Sequence, residues 1–104
     1  MADFTSSTTC GADGCTITLA GEVDIATVGD FLDAAQQCLA GNATLIEVDL
    51  GGVTFIDSSG LGALVRLRNQ ARSRGADVAL VRVPETVARV LEVTGLAEAF
   101  GPEG

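Results

Sequence analysis

The sequence predicts an α/β domain, a sheet covered by helices, from three observations. Runs with strand character alternate along the chain with stretches of helical periodicity, the order that packs helices onto a sheet. Apolar residues make up 47% and charged residues 19%, a globular composition. A length of 104 residues is that of one ordinary domain, long enough to build a core without metal or disulfide staples. No internal repeat or linker divides the chain. Residues 1–104 are therefore read as a single domain, with 14–100 as the core and 1–13 as an edge hairpin or a flexible start.

Each element has its own signal. Gly11–Gly14 is a turn, and Thr16–Ala20 alternates with period two as a half-buried strand does. Gly21-Glu22-Val23-Asp24 leaves that strand. Val28, Phe31, Leu32, Ala35 and Leu39 then recur on one face of a helix, which Gly41-Asn42 stops. Thr27, with Asp30 three positions on, is a weak capping box at its start. Thr44–Leu50 is the best central strand, and Val53–Ile56 extends or follows it after Gly51-Gly52. A second helix runs to about Arg74 on a stripe of Leu61, Leu64, Leu67 and Ala71, with Val65 beside it. Gly75-Ala76-Asp77 turns into the short strand Val78–Val81. Pro84 opens a third helix whose Val87, Val90, Leu91 and Thr94 share a face; Gly95 ends it, and Leu96–Phe100 closes the domain.

Composition removes most enzyme classes. The chain has no His and no Lys. That excludes Ser-His-Asp and Cys-His catalysis, histidine phosphocarriers, Walker phosphate loops and Schiff-base chemistry. The net charge is −8, with nine acids and no base before Arg66. Such a surface repels phosphate backbones and anionic lipid, so neither nucleic acid nor a membrane is an expected partner. A partner presenting Arg or Lys is the natural complement, although the acids also serve simple solubility. No apolar run reaches the roughly 20 residues of a membrane span, and the first residues carry no export signal. Cys10, Cys15 and Cys38 read as reduced cytosolic thiols: Cys10 and Cys15 can face each other across a hairpin, but with a distant third Cys they make a poor zinc site.

The most informative stretch is Val53–Gly62, in which a strand delivers an acid and two hydroxyls to the start of a helix. Asp57 and Ser58 are residue types that cap helix N-termini, and Gly60 and Gly62 allow a tight turn, so a purely structural reading is direct. A dinucleotide loop is absent, because Val65 stands where its third glycine belongs. A hydrolase elbow lacks its base. What remains is a serine presented on an exposed turn to another enzyme.

At these residues the sequence resembles the STAS domain family, and within it the anti-sigma factor antagonists. The resemblance covers about residues 14–100. It rests on Gly21-Glu22-Val23-Asp24, on Phe55-Ile56-Asp57-Ser58-Ser59-Gly60-Leu61-Gly62, and on Val93-Thr94-Gly95-Leu96 before Phe100. It implies a four- or five-stranded mixed sheet packed with helices, and no cofactor, metal or catalytic residue. It implies that the unphosphorylated domain captures an anti-sigma factor that is a GHKL-type serine kinase, freeing the sigma factor only indirectly. It further implies that phosphorylation of Ser58 ends the capture, that a PP2C-type phosphatase resets it, and that Asp24, Asp57, Ser58, Ser59, Gly60, Leu61 and Gly62 form the partner surface. Two alternatives stand beside this reading: a STAS-type subunit of a membrane transport assembly, and a module that binds a small ligand or nucleotide at the same helix start.

Overall fold

A computed structural model describes residues 4–12 and 14–100. Four strands, β1 (Thr5–Cys10), β2 (Gly14–Val23), β3 (Leu45–Ile56) and β4 (Asp77–Val81), form one sheet in the order β1-β2-β3-β4. β1 pairs antiparallel with β2, whereas β2–β3 and β3–β4 are parallel, so the sheet is mixed and has four strands among the described residues. Helices α1 (Val28–Ala40) and α2 (Ser58–Ser73) make the crossovers that parallel pairing demands. Helices α3 (Glu85–Thr94) and α4 (Leu96–Ala99) close the chain. Of the start region 1–13, residues 5–10 are the edge strand, and residues 1–3 and 13 lie outside the described residues.

The core lies between the sheet and its helices. Ile17 and Leu19 of β2, and Ile46, Val48 and Leu50 of β3, are buried together with Phe31 of α1 and Leu64 and Leu67 of α2. Leu61, Leu64, Leu67 and Ala71 are all buried, as the second helical stripe predicts. Gly95 sits at φ 80°, the left-handed conformation that lets a helix end without a Cβ penalty.

Several local expectations differ from the structure. The strand read as Thr16–Ala20 is β2, and it runs from Gly14 to Val23. Thr27 occupies the N-cap of α1 but makes no side-chain cap bond, so there is no capping box; its hydroxyl donates instead to the Glu22 carbonyl at 2.8 Å. The buried face of α1 is Phe31, Ala34, Ala35 and Cys38, while Val28, Leu32 and Leu39 only flank it. Arg74, just past the end of α2, donates from Nη2 to the carbonyls of Cys38 and Ala43, each at 3.3 Å. Cys10 and Cys15 do face each other across the β1–β2 hairpin, but the cysteines differ from the expectation of reduced thiols with Cys38 distant. Cys10 and Cys15 are joined as a disulfide, and Cys38 is brought against them. Burial pushes the Cys38 thiol up, against the opposing pull of Arg74.

Candidate functional site

Two strand ends and one helix start make the site. Gly14 pairs with Leu45 but Val23 pairs with Ile56, so β3 holds two more residues than β2 over the same span. The register shifts fall between Thr18 and Ala20 and between Gly21 and Glu22. Around the first of them, a Cβ on Gly52 would lie 2.8 Å from the Ala20 Cβ, so only glycine permits the strands' close approach. Bulges of this kind re-aim the chain beside functional sites. Here they bring Val23 and Ile56 level, and Asp24 and Asp57 leave adjacent parallel strands side by side.

Asp57 is the N-cap of α2. Its backbone is extended, and its Oδ1 accepts from the N–H groups of Ser59 at 2.9 Å and Gly60 at 3.2 Å. Two of the donors that every helix start leaves without intrahelical partners are thereby satisfied. The Asp57 N–H donates to the Val23 carbonyl at 3.1 Å, stitching the turn to the neighbouring strand. Gly60 is buried, and a Cβ there would meet Ile56 Cγ1 at 2.6 Å and Val23 Cγ1 at 2.8 Å. The helix start is wedged onto the two strand ends. Leu61 faces the core.

The remaining members of the turn point to other work. Ser58, the first residue of α2, is exposed, and among the described residues nothing hydrogen-bonds its hydroxyl. Ser59 is half-buried. Gly62 is exposed, and an added Cβ would find nothing within 4 Å, so packing does not require a glycine there. The turn thus divides into residues that hold it (Asp57, Gly60, Leu61) and residues that it presents (Ser58, Gly62).

Asp24 is half-buried, and its Oδ1 accepts from the N–H groups of Ala26 at 3.0 Å and Thr27 at 3.1 Å, fixing the loop that enters α1. Between them stands Ile25, 78% exposed, and Phe55 of β3 is half exposed. Sequence reading did not single out Ile25 as a site residue. Its signal was present: an apolar side chain between a strand and a helix, off both buried faces.

A family model described as "Mlab, STAS domain" matches residues 8–101. The chain belongs to the STAS-domain family. Among curated relatives, this STAS domain is 33% identical over 91 residues to a STAS-domain containing protein of Pseudomonas aeruginosa, covering 86% of this chain and 89% of that one. It is 29% identical over 86 residues to the anti-sigma-B factor antagonist of Listeria monocytogenes, covering 83% and 75% respectively. An anti-sigma factor antagonist from Mycobacterium paratuberculosis superposes with a TM-score of 0.85 at 22% identity, over 96% of this chain and 86% of that one. That likeness establishes the α/β fold. Among the described residues of this STAS domain, no helix is long and apolar enough to cross a membrane.

Proposed function

We propose that this STAS domain is a non-enzymatic switch of the anti-sigma factor antagonist type. Its unphosphorylated form captures a serine-kinase anti-sigma factor, and phosphorylation of Ser58 by that kinase ends the capture. A PP2C-type phosphatase restores the binding form, and the sigma factor is affected only through release from its anti-sigma factor. The supporting observation is the Ser58 hydroxyl: exposed, without a hydrogen bond among the described residues, and at a helix start already secured by Asp57. The likeness to named anti-sigma-B factor antagonists supports the partner class. The absence of His and Lys leaves the hydroxyls of the turn without an activating base, which supports binding over catalysis.

The docking face combines Asp24, Asp57, Ser58, Ser59 and Gly62 with the exposed Ile25, while Gly60 and Leu61, buried beneath it, hold it in place. An apolar side chain beside two acids suits a partner presenting Arg or Lys around an apolar patch. A phosphate on Ser58 brings close to two negative charges into that contact. A hundredfold loss of affinity needs only about 2.7 kcal/mol, which one like-charge contact in a partly desolvated interface can supply.

Titrating Ser58→Ala and Ser58→Asp calorimetrically against the kinase anti-sigma factor, alongside thermal melts, tests the reading. Ser58→Ala should bind like the wild type. Ser58→Asp should melt normally and bind about a hundredfold more weakly or worse. Equal affinities, or a phosphate mapped to Ser59 with Ser58 unmodified, would overturn it. Recovery of the chain only in a membrane transport complex would favour the subunit reading.

A further inference from the structure

The three cysteines of the chain meet at the opposite end of β2 from Asp24. Cys10, the last residue of β1, lies directly across the antiparallel ladder from Cys15. Cys38 reaches them from the last turn of α1. All three Sγ atoms lie within 4.8 Å of one another, and Cys38 Sγ is 2.7 Å from Cys15 Sγ. Cys15 and Cys38 are 2% and 1% exposed, whereas Cys10 is exposed. A disulfide uses two of these sulfurs and leaves the third, Cys38, as a free thiol against them. Three separate elements thus deliver a thiol to one point.

We infer that the reduced chain binds one soft cation of the Cu(I) class in a trigonal site made by the Cys10, Cys15 and Cys38 thiolates. Metal–sulfur bonds of about 2.3 Å set the sulfurs of a trigonal site about 4 Å apart. That triangle stays within the observed 4.8 Å limit once the Cys10–Cys15 bond is opened and Cys15 Sγ parts from both Cys10 and Cys38. The donor set selects the ion. The chain has no His, and among the described residues no carboxylate joins the cluster. Structural zinc sites take four ligands, whereas soft thiolates favour Cu(I). Three thiolates around a monovalent cation leave two negative charges. The guanidinium of Arg74, held on the Cys38 carbonyl at 3.3 Å, lies close enough to offset part of them. Exposed Cys10 gives the ion its way in, and the buried pair closes around it.

Opening the Cys10–Cys15 bond takes two electrons and two protons from a thiol reductant. Binding then releases the three thiol protons to solvent, so cation uptake and the disulfide exclude each other. The site shares no residue with the Ser58 turn and stands or falls independently of the proposed switch.

The test is anaerobic titration of the fully reduced chain, freed of reductant, with Cu(I) buffered by a chromophoric Cu(I) chelator. One Cu(I) per chain is expected, with ultraviolet thiolate-to-copper absorption and all three thiols shielded from alkylation. Cys10→Ser, a change at an exposed strand end, and Cys38→Ala should each weaken binding by at least about 100-fold, the upper end of what outer-shell changes cost. Melts of Cys10→Ser confirm that its fold is kept. Unchanged affinity in Cys10→Ser, thiols that alkylate freely with Cu(I) present, or tighter binding of Zn²⁺ than of Cu(I) would overturn the assignment. So would re-formation of the disulfide with copper excluded.

Discussion

Replacing Gly60 with alanine tests how the turn that presents Ser58 is built. The new methyl carbon would lie 2.6 Å from Ile56 Cγ1, 2.8 Å from Val23 Cγ1 and 3.1 Å from Ile56 Cδ1. Both neighbours are core residues on adjacent strands, and neither has solvent to move into. Forcing an extra carbon into a filled core costs about 1–3 kcal/mol, and the better helix propensity of alanine returns at most about 1 kcal/mol. The net expectation is a loss of about 1–2 kcal/mol. Gly62→Ala is the control two residues further on. An added Cβ there meets nothing within 4 Å, so only the propensity term operates and the variant should gain up to about 1 kcal/mol. Urea denaturation followed by circular dichroism reads both as opposite shifts of midpoint at unchanged slope. In thermal melts, each kcal/mol should appear as about 4–8 °C for a domain of this size. A Gly60→Ala variant as stable as the wild type would refute the wedge of α2 onto the two strand ends. Under the proposed function, Gly62→Ala has a second signature: a more stable protein with a methyl standing on the docking face, and therefore weaker binding.

Two further substitutions read out other parts of the structure. Asp57→Ala should cost about 1 kcal/mol by leaving the Ser59 and Gly60 N–H groups without their acceptor, whereas Asp57→Asn should keep most of that stability; urea titrations of the pair decide it. Asp49 is held below the usual carboxylate range, first by the Gly51 N–H and further by Arg82 at 3.1 Å, so its contribution is present above the unfolded value of about 3.9 and is lost as pH falls through the folded one. Asp49→Asn should therefore melt below the wild type at pH 7 and level with it at the acid end, and a difference that persists in acid would contradict the assignment.

What the sequence made legible, and what it hid, follows from the range of the forces involved. The stripe of α2 and the stop at Gly95 depend on neighbours within one or two helical turns, and both read correctly. The Asp57 cap is equally local. β3 was harder to read because its bulges break the alternation. Ile46, Val48 and Leu50 are buried with period two, but then Val53 and Ile56 are buried at intervals of three. The Gly51-Gly52 pair therefore looks like an interruption rather than one strand bending past its neighbour. The surroundings of Cys38 and Arg74 were hidden for a different reason. The phase of α1 on the sheet is set by small residues, Ala34 and Ala35, that let the helix settle onto them and carry Cys38 inward. Arg74 then finds two carbonyls on a segment more than thirty residues away. Neither contact has a local signature.

Under the proposed function, the division of labour within the turn lets a phosphate on Ser58 act on binding and spare the fold. Asp57, Gly60 and Leu61 secure the start of α2 through two capping bonds, a close approach and a core side chain. The Ser58 hydroxyl contributes to none of these, so a phosphate on it removes no native interaction. Nor does it find the nearest cap donors free, since the Ser59 and Gly60 N–H groups already belong to Asp57. The positive end of the helix attracts the phosphate by about 0.3–1 kcal/mol, and the neighbouring carboxylate repels it by a similar amount. The two nearly cancel in the free domain. In an interface no such cancellation is built in, because a partner that recognises a neutral hydroxyl beside Asp24 and Asp57 must desolvate whatever replaces it. A domain this small has only about 5–15 kcal/mol of stability to lose. Under the proposed function, an acceptor placed where it supports nothing lets a charge change of this size be read by a partner and not by the core.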